Sequence, residues 1–227
     1  MEHDDPAPAG HDQPFHDPRP MGRTSPPFEP RPVTLAGRLV RLEPLEGRHL
    51  DGIRAIALDA ELWRWTRHVV DGPPALEAYL VAARTASEAG TEIAFAQVDV
   101  ASGRVAGMTR FHSIEPAHRR LEIGNTWLAA PFQGTGHNAE AKLLLLDHAF
   151  EALGAHRVEF KTDGLNARSQ AALAAIGATR EGTLRRHVVN EDGRVRDSVY
   201  FSVVWDEWPT VRERLAARVE AAARRAT

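Results

Sequence analysis

Apolar residues recur at Leu143, Leu146, Phe150 and Leu153, the spacing of one helical face, and predict a helix over 137–153. Ahead of it, Leu121-Glu122-Ile123-Gly124-Asn125-Thr126-Trp127-Leu128 reads as a strand over 121–128. The same reading predicts a strand at 35–43, helices at 46–58 and 73–89, and a hairpin of strands 92–99 and 104–112 turning at Ala101-Ser102-Gly103. Beyond the central helix come a strand at 157–162 and a helix at 167–176 ended by Gly177. A closing hairpin follows, 179–189 and 195–205, turning on Asp192-Gly193. Trp208-Pro209 opens a last helix, charged and Ala/Arg-rich over 211–227, whose end is expected to fray. Strands in series, one central βαβ step and a closing hairpin suit a single α+β layer fold.

Residues 1–32 break the pattern. They hold nine of the fifteen prolines and few aliphatic residues, so they cannot bury enough apolar surface to offset their ordering entropy, and a disordered tail is expected. The pairs His3-Asp4, His11-Asp12 and His16-Asp17 in it read as solvated residues, since nothing preorganises them as metal ligands. The foldable part is then a domain over 33–210 followed by the charged helix 211–227. Zero cysteines remove disulfides, thiolate zinc and a cysteine nucleophile, and suit a cytoplasmic protein. A net charge of −3 gives no global drive toward nucleic acid or anionic membrane. No apolar stretch is long enough to span a bilayer, and the acidic start Met1-Glu2-His3-Asp4-Asp5 does not read as a signal peptide.

Between the strand at 121–128 and the helix at 137–153 lies Pro131-Phe132-Gln133-Gly134-Thr135-Gly136-His137-Asn138. A strand, a loop of small residues and a helix N-terminus make an anion site, because free backbone N–H groups and the helix dipole converge there. A Walker A loop would need Lys-Ser/Thr after Gly136, where His137-Asn138 stands. A dinucleotide fingerprint would need a third glycine where Ala139 stands, inside a repeated βαβ unit.

The run from Gln133 through Gly136 to Asn138 instead resembles the acyl-CoA pyrophosphate loop of the GNAT N-acetyltransferases. Its continuation through Glu140, Ala141 and Lys142 is similar to the RimJ/RimL branch, which acetylates ribosomal-protein N-termini. The resemblance covers roughly Val33 to Pro209. It implies a GNAT fold: one twisted, mostly antiparallel sheet of about six to seven strands, about four flanking helices, and a splayed parallel strand pair at the cofactor site. It implies acetyl-CoA as cosubstrate and no metal. Gln133, Gly134, Thr135, Gly136, His137 and Asn138 would then hold the pyrophosphate. Trp127 and Leu128 would line the pantetheine through their backbone, with the Leu128 N–H polarising the thioester carbonyl. Asp163-Gly164-Leu165-Asn166-Ala167-Arg168-Ser169 carries an Asn-x-x-Ser like that branch's, where the asparagine holds the pantetheine arm and the serine lies near the sulfur. By their residue types alone, Asn166 and Ser169 equally suit a helix cap. The tyrosine that many GNAT enzymes carry seven residues after this asparagine is here Leu173, which leaves Ser169 as the hydrogen-bond donor to the departing thiolate.

Glu122 matches a position where GNAT enzymes often place the glutamate that takes a proton from the amine; the alternative is a salt bridge to Arg119 or Arg120. Period-two alternation puts Glu122 and Leu128 on one face unless a bulge intervenes. On the acceptor side, Trp63 and Trp65 either floor a pocket or pack in the core, while His187 and Tyr200 face this region if the family register holds. His112, His118, His148 and His156 read as surface or packing residues. Three functions stay open. The first is direct acetyl transfer to a primary amine, of a protein N-terminus or a small molecule, in a ternary complex. The others are a GNAT-fold acyl-CoA sensor without turnover and a nucleotide-binding protein. The resemblance also allows a homodimer.

Overall fold

The computed structural model describes residues 27–226. Eight strands form one sheet in the order β1-β2-β3-β4-β5-β6-β8-β7. They are β1 (Leu35–Ala36), β2 (Val40–Pro44), β3 (Ile93–Asp99), β4 (Val105–Glu115), β5 (Arg120–Leu128), β6 (Arg157–Asp163), β7 (Thr179–Val189) and β8 (Val195–Val204). Every neighbouring pair is antiparallel except β5 and β6. Five helices accompany them: α1 (Leu50–Arg54), α2 (Pro73–Glu88), α3 (His137–Asp147), α4 (Ala167–Ile176) and α5 (Trp208–Ala226).

The sheet has one strand more than the sequence predicts, and the five helices match the five that the periodicities predict. The strand read at 35–43 turns over at Gly37–Leu39, where the Gly37 N–H bonds the Val40 carbonyl at 2.9 Å, giving two strands. The helix read at 46–58 shrinks to a 3₁₀ turn (Gly47–His49) and the short α1, because Glu43 captures Arg48 and His49 and fixes the chain at its start. The helix read at 137–153 is α3 continued by a π-helical turn, His148–Ala152.

Strand alternation divides the core. Leu42, Phe95, Phe111, Leu121, Ile123, Val158, Phe160 and Phe201 face α3 and α5, where they meet Leu145, Leu146, Phe150, Trp208 and Leu215. On the opposite face Ala94, Ala96, Met108 and Trp127 meet Ile53, Trp63, Leu76, Tyr79 and Leu80 of the α1–α2 region. That second layer covers only the β3–β5 half of the sheet. Over β6 and β8 the same face carries Glu159, Lys161, Arg196, Ser198, Tyr200 and Ser202.

The last helix is docked on the core through most of its length. Val211, Leu215, Val219 and Ala222 recur at helical spacing and are buried. At the other end, Phe28 is 5% exposed within the main core and lies under the Arg119 guanidinium, so the stretch expected to be tail contains a core residue. The rest of that expectation, including the three His-Asp pairs, falls on residues 1–26 and lies outside the described residues.

Candidate active site

β5 and β6 pair only over Arg120–Glu122 and Arg157–Glu159. Past Glu122 the two strands separate, and the inward-facing backbone groups of the remainder of β5 have no strand partner on that side. The cause is a bulge in β5. Met108 stands opposite Trp127 and Arg110 opposite Gly124, so two steps on β4 meet three on β5, and Asn125 takes up the extra residue at φ 48°. The bulge reverses the alternation: Ile123 packs toward α3 whereas Trp127, four residues on, packs toward α2. Glu122 therefore shares a face with Trp127, and Leu128 points the other way, which corrects the parity expected from the sequence.

The loop after β5 enters α3 through Gly136, whose φ of 99° is left-handed. A Cβ there would lie 2.5 Å from Ala222 Cβ of α5, so glycine is required by packing as well as by conformation. The Glu140 N–H is bonded to the Gly136 carbonyl at 2.9 Å, leaving those of His137, Asn138 and Ala139 without acceptors inside the helix. The side chains of the loop look inward. Gln133 Nε2 donates to the Leu128 carbonyl at 2.6 Å, Thr135 Oγ1 donates to the Phe132 carbonyl at 2.7 Å, and His137 Nε2 lies 2.8 Å from Asp99 Oδ1. These residues hold the loop's shape, and only its backbone is offered to a ligand. Asn166 caps α4 by accepting the Ser169 N–H at 3.0 Å, and the Ser169 side chain is half-buried beside it.

Glu122 is 3% exposed. Neither Arg119 nor Arg120 is its partner: Arg119 donates to the Leu153 and Gly154 carbonyls, and Arg120 reaches Glu159. Lys161 Nζ is 3.3 Å from Glu122 Oε2 and His112 Nε2 is 3.4 Å from Oε1. Burial raises the Glu122 pKa above the usual carboxylate value, with Lys161 opposing the shift. Burial also pushes His112 down to about 4, so this ring is neutral near pH 7. Gly124 makes room for it, since a Cβ there would lie 2.2 Å from His112 Nε2. His112, read from the sequence as surface or packing, is thus a neighbour of the carboxylate.

Among the described residues, buried polar atoms without a hydrogen bond gather on this face: Tyr79 Oη, Arg110 Nε and Nη2, Trp127 Nε1, and His112 Nε2, whose nearest partner is Glu122 at 3.4 Å. Trp63 is core, with its Nε1 on the Ala57 carbonyl at 2.6 Å and its ring 4.9 Å from that of Tyr79. Trp65 is half-buried at the rim, with the Arg64 and Arg194 guanidiniums 5.0 and 5.9 Å from its ring. His187 and Tyr200 stack edge-on at 5.8 Å on the β7–β8 hairpin, and Tyr200 is paired across the sheet with Lys161.

Two residues of the loop's continuation, Glu140 and Lys142, tie α3 to its neighbours. Glu140 accepts the backbone N–H groups of Arg38, Leu39 and Val40 at 2.9, 2.6 and 2.8 Å, tying the β1–β2 turn to the start of α3. Lys142 reaches up from α3 to Thr126 Oγ1 at 2.9 Å, and Thr126 Oγ1 lies 2.8 Å from Thr109 Oγ1. The signal for Lys142 was present: it stands four residues before Leu146 on the apolar face of α3, a position where a lysine is out of pattern. Glu140 carried no such signal, because an acidic residue in a first helical turn is ordinary.

The chain matches the Acetyltransferase (GNAT) domain family over residues 39–179. No curated protein matches it. Among solved structures, a GCN5-related N-acetyltransferase from Brucella melitensis is 31% identical with a TM-score of 0.77, over 83% of this chain and 86% of that one. A protein from T. thermophilus described as an acetyltransferase is 43% identical with a TM-score of 0.76, over 83% and 97%. Mycobacterium smegmatis RimJ in complex with CoA-disulfide is 25% identical with a TM-score of 0.68, over 85% and 96%. Taken with the splayed β5–β6 pair and the glycine loop, these matches show that the chain belongs to the GNAT acetyltransferases, acyltransferases by activity, in their RimJ/RimL-like branch.

Proposed function

We propose that this protein transfers the acetyl group of acetyl-CoA directly to a primary amine, with the gap between β5 and β6 as the cofactor site. The observation that carries this reading is the position of Glu122: a buried carboxylate at the apex of the splay, on the face that α1 and α2 leave lined with unpartnered polar atoms. Acetyl-CoA would supply the thioester. The N–H groups of His137, Asn138 and Ala139, with the α3 dipole, suit its pyrophosphate. The edge of β5 at Trp127 and Leu128, which has no strand on the β6 side and whose Leu128 carbonyl is taken by Gln133, suits the pantetheine as an added strand, and the Leu128 N–H would polarise the carbonyl. Asn166 would hold the pantetheine arm from the far side, while Gln133, Thr135 and the His137 ring act by shaping the loop.

The amine must lose a proton to attack, because its ammonium form has no lone pair. Glu122 would accept that proton, directly or through a water, as the C–N bond forms and the C–S bond breaks. A carboxyl whose pKa is raised toward neutrality is a better base than an ordinary one. The Ser169 hydroxyl would donate a hydrogen bond to the leaving sulfur. Trp65, His187 and Tyr200 form the acceptor's surroundings, and Trp63 sits behind them. With no cysteine in the chain, a cysteine acyl-enzyme is not available, which supports attack within a ternary complex. The acceptor is the amine of a protein N-terminus or of a small molecule, a cytoplasmic site of action suits both, and a homodimer fits the branch.

The test is a pH–rate series on Glu122→Gln and Ser169→Ala with an amine that the wild type acetylates. Glu122→Gln is expected to lose roughly 10²–10⁴-fold in turnover. Part of the rate should return at high pH, where the amine is already deprotonated. Ser169→Ala is expected to lower turnover evenly across pH with acetyl-CoA affinity kept. A Glu122→Gln profile identical to the wild type would refute Glu122 as the base.

A further inference from the structure

Arg196 is a buried charge that makes no direct ion pair among the described residues, although Asp163 and Glu122 act on it from further off. It lies on β8, is 5% exposed, and its one hydrogen bond is from Nε to Ser198 Oγ at 3.4 Å. An arginine cannot shed its proton to relieve burial, so buried guanidiniums ordinarily sit on a carboxylate. The carboxylates around it are committed elsewhere. Asp163 takes Arg194 Nη2 at 2.6 Å on one oxygen and the Leu165 N–H at 2.9 Å on the other. Glu191 takes His68 at 2.9 Å and the Val69 N–H at 2.8 Å, and Glu122 is held by Lys161 and His112.

The surroundings form a site rather than a packing accident. Arg196, Ser198 and Tyr200 share the sheet face of Lys161 and Glu122. Arg196 also borders a cleft of about 360 Å³ at the Val195 end of β8, walled by Asp163, Arg194, Gln170, Arg180 and Thr183 and continuing away from Glu122 and Lys161. The segment over 65–69 clasps the hairpin tip above it, through the Glu191 N–H on the Arg67 carbonyl at 3.0 Å and Arg194 over Trp65. That clasp brings in Arg67, exposed and without an ion pair among the described residues, as a second positive group beside Arg196 and His112. Burial lowers the Arg196 pKa, Asp163 and Glu122 oppose the shift, and Arg67 and Arg194 add to it.

We infer that Arg196, with Arg67 at the rim, is an anion subsite of the acceptor pocket, and that the acceptor is an amine carrying a carboxylate or phosphate group. This rests on the acetyl-transfer reading, in which Glu122 meets the amine end of the same molecule.

The experiment compares acceptor pairs that differ only in charge: L-α-amino acids against their carboxamides, and O-phosphoethanolamine against ethanolamine. CoA release gives kcat and KM, and calorimetry gives acetyl-CoA affinity. In one of the two series at least, the anionic member is expected to have a kcat/KM tenfold or more above its neutral partner; which series does so tells carboxylate from phosphate. Arg196→Gln should abolish that preference through KM, Arg196→Lys should keep part of it, and the exposed Arg67→Glu should lower it several-fold with no folding risk. Acetyl-CoA affinity should be unchanged in all three variants. Neutral members that equal or surpass the anionic ones, or a wild type that binds acetyl-CoA yet uses no member of the panel, would overturn the subsite. So would loss of acetyl-CoA affinity in Arg196→Gln, which would give this arginine to the cofactor. A wild type that binds no acetyl-CoA would instead bring down the acetyl-transfer reading beneath it.

Discussion

Lys142 shows how much a single residue tolerates for the sake of the splay. Its ammonium is enclosed, its one hydrogen bond runs to a hydroxyl, Thr126 Oγ1, and the Phe160 ring lies 5.5 Å away. Burial lowers its pKa to about 7. An unfolded lysine keeps its proton up to about pH 10.4. Between those values the unfolded chain therefore holds a proton that the folded protein lacks, and stability rises with pH across that window; below pH 7 both states are protonated and the penalty is constant. Lys142→Met is expected to raise Tm most at or below pH 7, with the gain shrinking toward pH 10. Melting curves of the two proteins over pH 6–10 decide it, and a constant difference would contradict the buried-amine account. Glu122 shifts by the same cause in the opposite direction, on the other face of the sheet. The glycine loop and Glu122 stand out in the sequence itself. Their contacts do not: Lys161 and His112 reach Glu122 from neighbouring strands, 39 and 10 residues away in the chain, and no local pattern encodes such a meeting.

At the scale of elements, the start of α3 is held by a carboxylate rather than by an N-cap side chain. Glu140 gathers three consecutive N–H groups of the β1–β2 turn, and charge-assisted bonds of this kind are the stronger ones. Glu140→Gln keeps the size but turns an amide toward those donors, and a buried group left unsatisfied costs about 1–3 kcal/mol. In a protein of this length that corresponds to a Tm lower by roughly 2–12 °C. Differential scanning calorimetry reads it, and an unchanged Tm would mean that the turn is held by other contacts. Element types and order were readable because β3, β5, α3 and α4 each carry a clean period and a turn or cap residue at one end. The β5 bulge was not readable. Asn125 is one residue in an otherwise regular strand, and only the register against β4 reveals that the side-chain faces exchange there. The late start of α1 escaped for a related reason: Glu43, five and six residues upstream, pairs with Arg48 and His49, which form a 3₁₀ turn ahead of the helix.

For the whole molecule, the foldable body begins earlier and closes later than composition suggested. Phe28 sits in a proline-rich run yet is buried, and α5 continues the core as far as Ala223. Removing residues 1–26 is expected to leave Tm unchanged, whereas removing 1–32 also deletes Phe28. Truncating a buried phenylalanine to alanine costs about 3–5 kcal/mol, and the second deletion should lose a comparable amount. Equal melting temperatures for the two truncations would contradict the docking of Phe28. The claim that joins every scale is that the β5–β6 gap receives acetyl-CoA. Amide hydrogen exchange followed by mass spectrometry tests it most directly, because the N–H groups of β5 past the bulge and those opening α3 would gain partners on binding. Acetyl-CoA at saturating concentration should slow exchange over 124–128 and 134–139 while leaving the β7–β8 hairpin as it was. Exchange that stays unchanged over 124–128, with protection appearing elsewhere, would contradict the account.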